Sequence, residues 1–408
     1  MRSSGRILSL DVPFLIGLFV FQFVGYVRDR GVIDCGSNED RYIWTTITAA
    51  LCGALTLLRI PKTAVASAWS GFPSRAVDGE EQARRIARCA TLIAAAICAK
   101  LLLGNPFIPG DGRVANYLGV IPVLLVVPAA ICACLLVLTS SPGQQRIPVL
   151  LTLLVVAIAA VDVSRTPMTY VLFCIPLLWL SRRANVLTLR GRLTAVAAMP
   201  AVFLAFVVLA AVLKVGGFVW QGVDQDIGRD ATLAHIETAS YTDVYENTCF
   251  IEDTFGRSVG YLPFVGVASV LLGPIPRSLW PTKPAGLSLP LTLARIGEEG
   301  VETGTSFSPG LVGELWMNGG WLAIWLGAIL LGLFLWGLLS VLLRLQRRGW
   351  PIAGAVAVLW VATLLQARGD FYTITVRAGE YLVGTVLATR FVFGKTKAPA
   401  SAATAEAG

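Results

Sequence analysis

Two cations in a proline-rich segment of the chain have the types and spacing of an anion-binding site. Arg277 and Lys283 lie in the segment GPIPRSLWPTKP, whose prolines fix the backbone and hold both side chains with little entropy to lose. Arginine binds phosphate oxygens through two parallel hydrogen bonds, and lysine adds a compact point charge. The segment therefore predicts a site for a phosphate group. A loop of aromatic and basic residues at a membrane interface would have the same composition, and the sequence leaves that alternative open.

A carboxylate follows in the segment FSPGLVGELWMNGG, at the start of an apolar stretch. Glu314 and Asn318 are four residues apart and so lie on one face of the helix that this stretch predicts. A buried carboxylate there could act as a general base or pair with an arginine, or it could only interact with the helix dipole. The single histidine, His235, lies in the acidic stretch 224–253 and is a second base candidate, although a solvated loop histidine fits equally well.

Three further arginines accompany turns or apolar stretches. Arg165 follows Asp162 in a tight turn, Arg368 lies in the segment QARGD, and Arg377 precedes Glu380 by three residues within an apolar run. Ionisable residues at such places usually face the interior of a helix bundle or a cavity. We treat all three arginines as substrate-binding candidates. The alternatives are a snorkelling Arg165 and a structural pair between Arg377 and Glu380.

Composition indicates the elements that must position these side chains. Of the 408 residues, 55% are hydrophobic and 14% are charged, whereas soluble domains carry about 25% charged residues. Apolar runs recur along the whole chain, so we predict an all-α, polytopic membrane helix bundle of about 10–12 transmembrane helices. The first run lacks a signal-peptide cleavage site and is read as a retained helix. The predicted spans are 7–27, 42–58, 86–104, 114–138, 147–161, 168–180, 193–217, 311–343, 351–367 and 371–393.

The distribution of charge predicts the orientation of these spans. If the N-terminus is cytoplasmic, the inner segments hold more than half of the 33 Lys and Arg residues but only four of the 25 acidic ones. The C-terminus is then cytoplasmic as well. Five cations fall on the outer face against this bias, and an anionic ligand such as a lipid pyrophosphate would explain them. They are Arg165, Arg277, Lys283, Arg368 and Arg377.

The spans divide the chain into four parts. We predict an N-terminal transmembrane block over 1–217, a large extracytoplasmic loop over 218–310, C-terminal transmembrane helices over 311–395 and a disordered cytoplasmic tail over 396–408. Within the loop, the apolar stretch 259–275 is interrupted by Gly and Pro. Orientation is preserved if this stretch is re-entrant or interfacial. The alternative is that 311–343 forms two short crossings separated at Gly319 and Gly320.

The cysteines have no metal-ligand spacing. Six of the eight fall in or beside apolar runs, whereas Cys35 and Cys249 lie in outer loops and could form a disulfide in an oxidising compartment. The sequence contains no Walker-type phosphate loop and no catalytic Ser-His-Asp spacing. The basic residues are scattered through short loops, which argues against nucleic acid as a partner and for contact with membrane lipids.

The string PRSLWPTKP (276–284), followed by a Gly/Ser/Thr-rich stretch and then GELWMNGG (313–320), resembles the Wzy-type O-antigen polymerases, a family of oligosaccharide repeat unit polymerases. The positions of Arg165 and Arg368 and the order of helical block, large outer loop and last helices agree with that family. The resemblance implies a GT-C-like, metal-independent glycosyltransferase with no cofactor in the bacterial plasma membrane. It would join undecaprenyl-pyrophosphate-linked oligosaccharides into a surface polysaccharide of the O-antigen or capsule type, and a chain-length regulator protein would be a further partner.

In this interpretation the cations stabilise the pyrophosphate leaving group and a base accepts the proton of the acceptor hydroxyl. Arg165, Arg277, Lys283 and Arg368 are the candidates for the first role. Glu314 is the first candidate for the second, and His235 is the next. Three alternatives remain: an O-antigen ligase, a transporter or flippase of an anionic lipid-linked substrate, and a structural scaffold. A transporter predicts inverted repeats with broken helices, and the sequence has no evident repeat.

Overall fold

The computed structural model describes residues 8–23, 26–27, 39–73, 77–103, 120–161, 165–183, 243–272, 286–302, 307–369 and 371–395. Over these ranges the chain forms 13 α-helices, one π-helical turn (Phe19–Phe23) and one 3-10 turn (Pro142–Gln144), and it has no β-strand. The prediction of an all-α fold is therefore confirmed for the part of the chain that the structure describes.

The helices are numbered here in chain order. The first seven are α1 (Asp11–Leu18), α2 (Glu39–Leu58), α3 (Lys62–Ser70), α4 (Gly79–Leu103), α5 (Val120–Thr139), α6 (Arg146–Val161) and α7 (Arg165–Arg183). The other six are α8 (Asp243–Thr254), α9 (Val265–Leu272), α10 (Ser288–Glu302), α11 (Gly310–Arg347), α12 (Ala353–Leu365) and α13 (Phe371–Phe393).

Helix α12 lies at the centre of the bundle. All of its residues are buried, and it packs against α1, α3, α5, α7, α11 and α13. Glycines allow the closest approaches to it. A Cβ on Gly17 of α1 would lie 2.3 Å from the backbone oxygen of Leu364, and a Cβ on Gly354 would lie 2.4 Å from the Ile131 side chain of α5. The core is thus made of short, closely packed apolar helices.

Two helices, α2 and α11, are long and apolar enough to cross a membrane. Shorter apolar helices cover Asp11–Phe23, Leu124–Thr139, Arg146–Ala159, Thr169–Arg182 and Ala353–Leu365. The long helices also expose large apolar side chains, which soluble proteins rarely do over a continuous surface. On α2 and α11 these include Trp44, Leu51, Leu55, Leu322, Trp325, Leu330 and Val341.

Helix α11 reverses direction near its start. Gly320 has φ 60° and ψ −140°, a left-handed conformation that favours glycine. Across this break the Leu315 side chain packs directly on Gly327, where a Cβ would lie only 2.2 Å from it. In a continuous helix those residues would be about 18 Å apart along the axis. Residues 310–318 therefore fold back along residues 321–347.

This reversal differs from the single span predicted over 311–343 and also from its alternative of two crossings. Residues 310–318 rise only about 14 Å and cannot cross a hydrocarbon core of about 30 Å, whereas 321–347 rise about 40 Å. The sequence missed the reversal because the apolar composition continues through the two glycines. Helix α9 has 8 residues and rises about 12 Å, so this part of the stretch 259–275 is also too short to cross.

Candidate functional site

Residues 310–318 are enclosed by three other segments: α8, residues 261–266 and the turn 366–369 with Phe371. Backbone hydrogen bonds join them, because Leu311 N donates to the oxygen of Ala367 at 3.4 Å and Leu262 N donates to that of Met317 at 2.7 Å. We call these four segments the polar junction. It gathers buried polar side chains where the reversal at 319–320 approaches the turn 366–369.

Glu314 is the buried carboxylate of the polar junction, with 4% of its surface exposed. Its Oε2 accepts the backbone N–H of Phe371, the first residue of α13. Its Oε1 lies 2.1 Å from where a Cβ on Gly266 would be, so only glycine leaves room for it there. Free N–H groups and the helix dipole at the start of α13 stabilise a negative charge at this position.

Arg368 and Asn318 belong to the same junction. Ser308 Oγ donates to the Arg368 backbone oxygen at 2.7 Å, and Asn247 Nδ2 of α8 donates to the Ser308 backbone oxygen at 2.9 Å. Asn318 Nδ2 donates to the Glu314 backbone oxygen at 2.7 Å. The structure thus brings two predicted site residues, Glu314 and Asn318, close to the turn that carries a third, Arg368.

The structure describes two of the other predicted site residues, Arg377 and Arg165. Arg377 forms an ion pair with Glu380, with Nη1 and Oε2 2.9 Å apart, which is the structural alternative raised by their spacing. Arg165 is the first residue of α7 and lies about 8 Å along the helix from Tyr170. The ring centroid of Tyr170 is 4.7 Å from that of Tyr381 in α13. His235, Arg277 and Lys283 lie outside the described residues.

Arg295 of α10 contacts the polar junction, and the sequence did not single it out. Its guanidinium donates to the side chains of Glu246 and Asn247 in α8 and stacks over the Phe307 ring, with its Cζ 4.5 Å from the ring centroid. These contacts join α10 to α8 and to the residues that enter α11. The spacing of residues along the chain could not reveal these contacts, because Asn247 and Glu246 are 48 and 49 residues away from Arg295.

A second unpredicted group lies where α8 meets α2 and Trp316. Glu252 of α8 is fully buried, and its Oε1 accepts the Thr45 hydroxyl of α2 at 2.7 Å. Arg41 donates to the Glu252 backbone oxygen at 3.0 Å and stacks over the Trp316 ring. Burial raises the pKa of Glu252 to about 7, while the Thr45 hydrogen bond and the charge of Arg41 oppose that rise. Glu252 is therefore a proton-binding group near neutral pH.

Helix α8 also carries a covalent link. Cys249 is disulfide-bonded, and Cys35, the partner suggested by the sequence, lies outside the described residues. The free thiols are Cys52, Cys89, Cys98, Cys132, Cys134 and Cys174. A polar helix that contributes Glu246, Asn247 and Glu252 to the junction is thus held by a disulfide as well as by packing.

Comparisons with protein-family models, with curated proteins and with solved structures gave no match to this chain.

Proposed function

We propose that this chain is a multi-pass glycosyltransferase of the bacterial plasma membrane, of the Wzy type. It would polymerise undecaprenyl-pyrophosphate-linked oligosaccharide repeat units into a surface polysaccharide at the outer face. The proposal combines the resemblance of residues 276–320 to that family with the geometry of the polar junction. Its expected partners are the lipid-linked oligosaccharide, membrane lipids and a chain-length regulator protein.

The exposed apolar surface supports a membrane location. Large apolar side chains are exposed on α2 and α11, and also on α6 and α13, at Leu150, Leu153, Val383 and Leu387. In water this surface would promote aggregation, whereas in a bilayer it meets lipid tails. In the orientation that the charge bias of the inner segments predicts, both termini would be cytoplasmic and the polar junction would face the outer side.

The observation that carries the proposed activity is the buried Glu314 beside the turn of Arg368. Phe371 indicates how deep the site lies along α11. Its N–H binds Glu314, and its ring centroid lies 6.1 Å from that of Phe334 in α11. Phe334 is about 20 Å along α11 from Trp321, so the carboxylate lies well within the bundle. A carboxylate at such a depth is costly, and functional sites are where such groups are retained.

The chemistry follows from these positions. A sugar hydroxyl of the acceptor loses its proton to the Glu314 carboxylate as its oxygen forms the bond to the donor's anomeric carbon. The bond from that carbon to the lipid pyrophosphate breaks, and the leaving group takes the electron pair. Arg368, Arg277, Lys283 and Arg165 are the cations proposed to stabilise that charge. Arg295 would position the junction through α8 and Phe307.

Glycan length in cells tests this proposal. In cells lacking the gene, we expect single repeat units in place of a ladder, and wild-type complementation should restore the ladder. Arg277→Ala and Arg368→Ala should restore less than a tenth of it at equal protein level, since removing one charge-stabilising donor typically lowers turnover about 100-fold or more. Glu380→Gln is the matched control, because that residue pairs with Arg377 outside the junction.

Other outcomes would favour the alternatives. A ladder of normal length that accumulates on the carrier lipid would indicate a ligase. Unchanged glycan on the cell surface would indicate transport of another substrate. If Arg277→Ala and Arg368→Ala both polymerised at the wild-type rate, the proposed stabilisation of pyrophosphate would be wrong.

A further inference from the structure

An apolar groove of about 370 Å³ lies between α11, α12 and α13. It runs from the polar junction toward the end of α11, and Leu338, Leu342 and Leu382 are among its walls. Gln366 and Thr375 are its two polar lining residues, and the Gln366 amide donates to the Thr375 hydroxyl at 3.2 Å. The groove is therefore suited to an apolar chain.

The length of the groove matches one leaflet of a bilayer. Its α11 wall extends from Phe334 to Leu345, which is a rise of about 16 Å. The hydrocarbon core of a membrane is about 30 Å thick. A chain that fills the groove would thus enter from the leaflet at the end of α11, and its headgroup would lie near Trp350.

A cation with an unused donor lies at that end. Trp350 lines the groove, and the Arg390 guanidinium stacks over its ring, with its Cζ 5.4 Å from the centroid. Arg390 Nη1 is buried and has no hydrogen-bond partner among the described residues. A buried charged donor without a partner is costly, and a phosphate oxygen would supply the missing acceptor.

The surrounding charge is predominantly positive, and the acidic residue Glu81 of α4 is paired there with Arg85, which stacks over the Phe393 ring. Residues 344–352 contain three arginines and residues 386–395 contain one arginine and one lysine, while neither range has an acidic residue. Arg88 of α4 approaches the same end, where its Nη1 donates to the Phe391 backbone oxygen at 3.5 Å. The headgroup that fits this end of the groove is therefore anionic.

We propose that this groove binds one anionic phospholipid of the cytoplasmic leaflet, with an acyl chain against α11 and α13 and the phosphate on Arg390. The groove begins beside the polar junction that holds Glu314, and its headgroup end, at Trp350 and Arg390, lies at the far end of α11. The inference rests on the membrane placement within the proposed function but not on glycosyl transfer. Anionic lipids of the cytoplasmic leaflet are the natural partners of basic pockets between helices on that side.

Native mass spectrometry of the full-length protein in detergent tests this assignment. We expect one saturable site for phosphatidylglycerol that binds at least tenfold more tightly than phosphatidylcholine with the same acyl chains. Glycerol 3-phosphate, which has the phosphate but no chain, should not compete. Equal binding of the two phospholipids, or competition by glycerol phosphate, would contradict the assignment.

Two pairs of variants locate the site. Gly379 lines the groove, and a Cβ there would meet open space, so Gly379→Leu should fill the groove without disturbing the fold. Gly337 of α11 is equally open but lies outside the lining, which makes Gly337→Leu the control. Arg390→Gln removes the headgroup cation, and Arg146→Gln, which removes an exposed charge at the start of α6, is its control.

Gly379→Leu and Arg390→Gln should each weaken the binding of phosphatidylglycerol at least tenfold, and the two controls should change it less than twofold. Unfolding temperature in lipid-free detergent verifies that each variant is folded. Wild-type affinity in both groove variants would overturn the inference. Because the assay needs no sugar donor and no turnover, it stays informative even if the chain proves not to polymerise glycans.

Discussion

The core around α12 and the polar junction are both buried, but they bury opposite kinds of side chain. Helix α12 is aliphatic except for Trp360 and Thr363, and the Thr363 hydroxyl donates to the Leu359 backbone oxygen within its own helix. The junction buries Glu314 and Glu252, whose hydrogen bonds come from other helices. A buried polar group with its hydrogen bonds made adds little net stability, but removing its hydrogen-bond partner is costly. The core therefore stabilises the fold, and the junction is where we expect function.

Substitution of Glu314 should produce the largest effect. In Glu314→Gln the amide oxygen still accepts the Phe371 N–H, but the side chain can no longer take a proton. A positioned base contributes about 10²–10⁴-fold to a rate, so we expect ladder growth to fall by that factor at unchanged protein level. Glu314→Ala also removes the acceptor and should lower stability as well.

The pair of Glu314 variants separates catalysis from helix capping. If Glu314→Gln supports a normal ladder while Glu314→Ala does not, the carboxylate only caps α13. Glu380→Gln, in the same helix as Phe371, should behave as wild type in both measurements.

A cavity in the core should have the opposite signature. Leu359 is fully buried, and truncation of a buried leucine to alanine costs about 2–5 kcal/mol. We expect Leu359→Ala to lower the unfolding temperature in detergent while the rate per folded molecule stays near wild type. Leu330→Ala, at an exposed position on α11, is the control. A rate loss as large as that of Glu314→Gln would show that the two regions are not separable.

The pH dependence of stability should depend on Glu252. Burial raises the pKa of this carboxyl from its ordinary value of 4.5 to about 7 in the folded protein. Between these values the folded protein holds a proton on Glu252 that the unfolded chain has released, so the contribution of Glu252 to stability is greatest below about pH 4.5 and is lost as the pH rises through about 7. We expect the unfolding temperature to follow this trend.

Glu252→Gln should flatten that pH profile, because an amide does not titrate but can still accept the Thr45 hydroxyl. The adjacent Asp253, which is exposed and paired with Arg257, provides the control variant Asp253→Asn. A slope of wild-type size in Glu252→Gln would assign the titration to another group.

The smallest effect is expected at Asn318. Its side chain donates to the Glu314 backbone oxygen, and loss of one such hydrogen bond costs about 1 kcal/mol. Asn318→Ala should therefore lower the unfolding temperature slightly and reduce ladder growth only a few-fold. A loss comparable to that of Glu314→Gln would instead point to direct contact between Asn318 and substrate.

Apolar length was enough to predict most helices of the core. The predicted span 371–393 is the observed helix Phe371–Phe393, and 351–367 contains Ala353–Leu365. Such predictions succeed because each segment satisfies its own backbone hydrogen bonds and needs only an apolar surface. Glu314, Asn318 and Arg368 were predicted individually as site residues, and the structure brings the first two close to the turn that carries Arg368.

The rest of the junction depends on contacts between distant segments. Arg295 and Glu252 have partners 48 or more residues away, and no local pattern marks such pairs. The reversal at Gly319 and Gly320 was raised only as a break between two crossings. Its geometry depends on the packing of Leu315 and on Tyr261, whose Oη lies 2.7 Å from where a Cβ on Gly320 would be. Sequence therefore predicts the core better than the junction.

The most direct test of the central claim uses purified full-length protein in proteoliposomes that contain the undecaprenyl-pyrophosphate-linked repeat unit. Glycan length on the lipid and release of the free carrier pyrophosphate are followed together. We predict that wild type extends the glycan with one carrier released per unit added, and that Glu314→Gln does neither while it remains folded. Carrier release without extension, or wild-type extension by Glu314→Gln, would contradict the account.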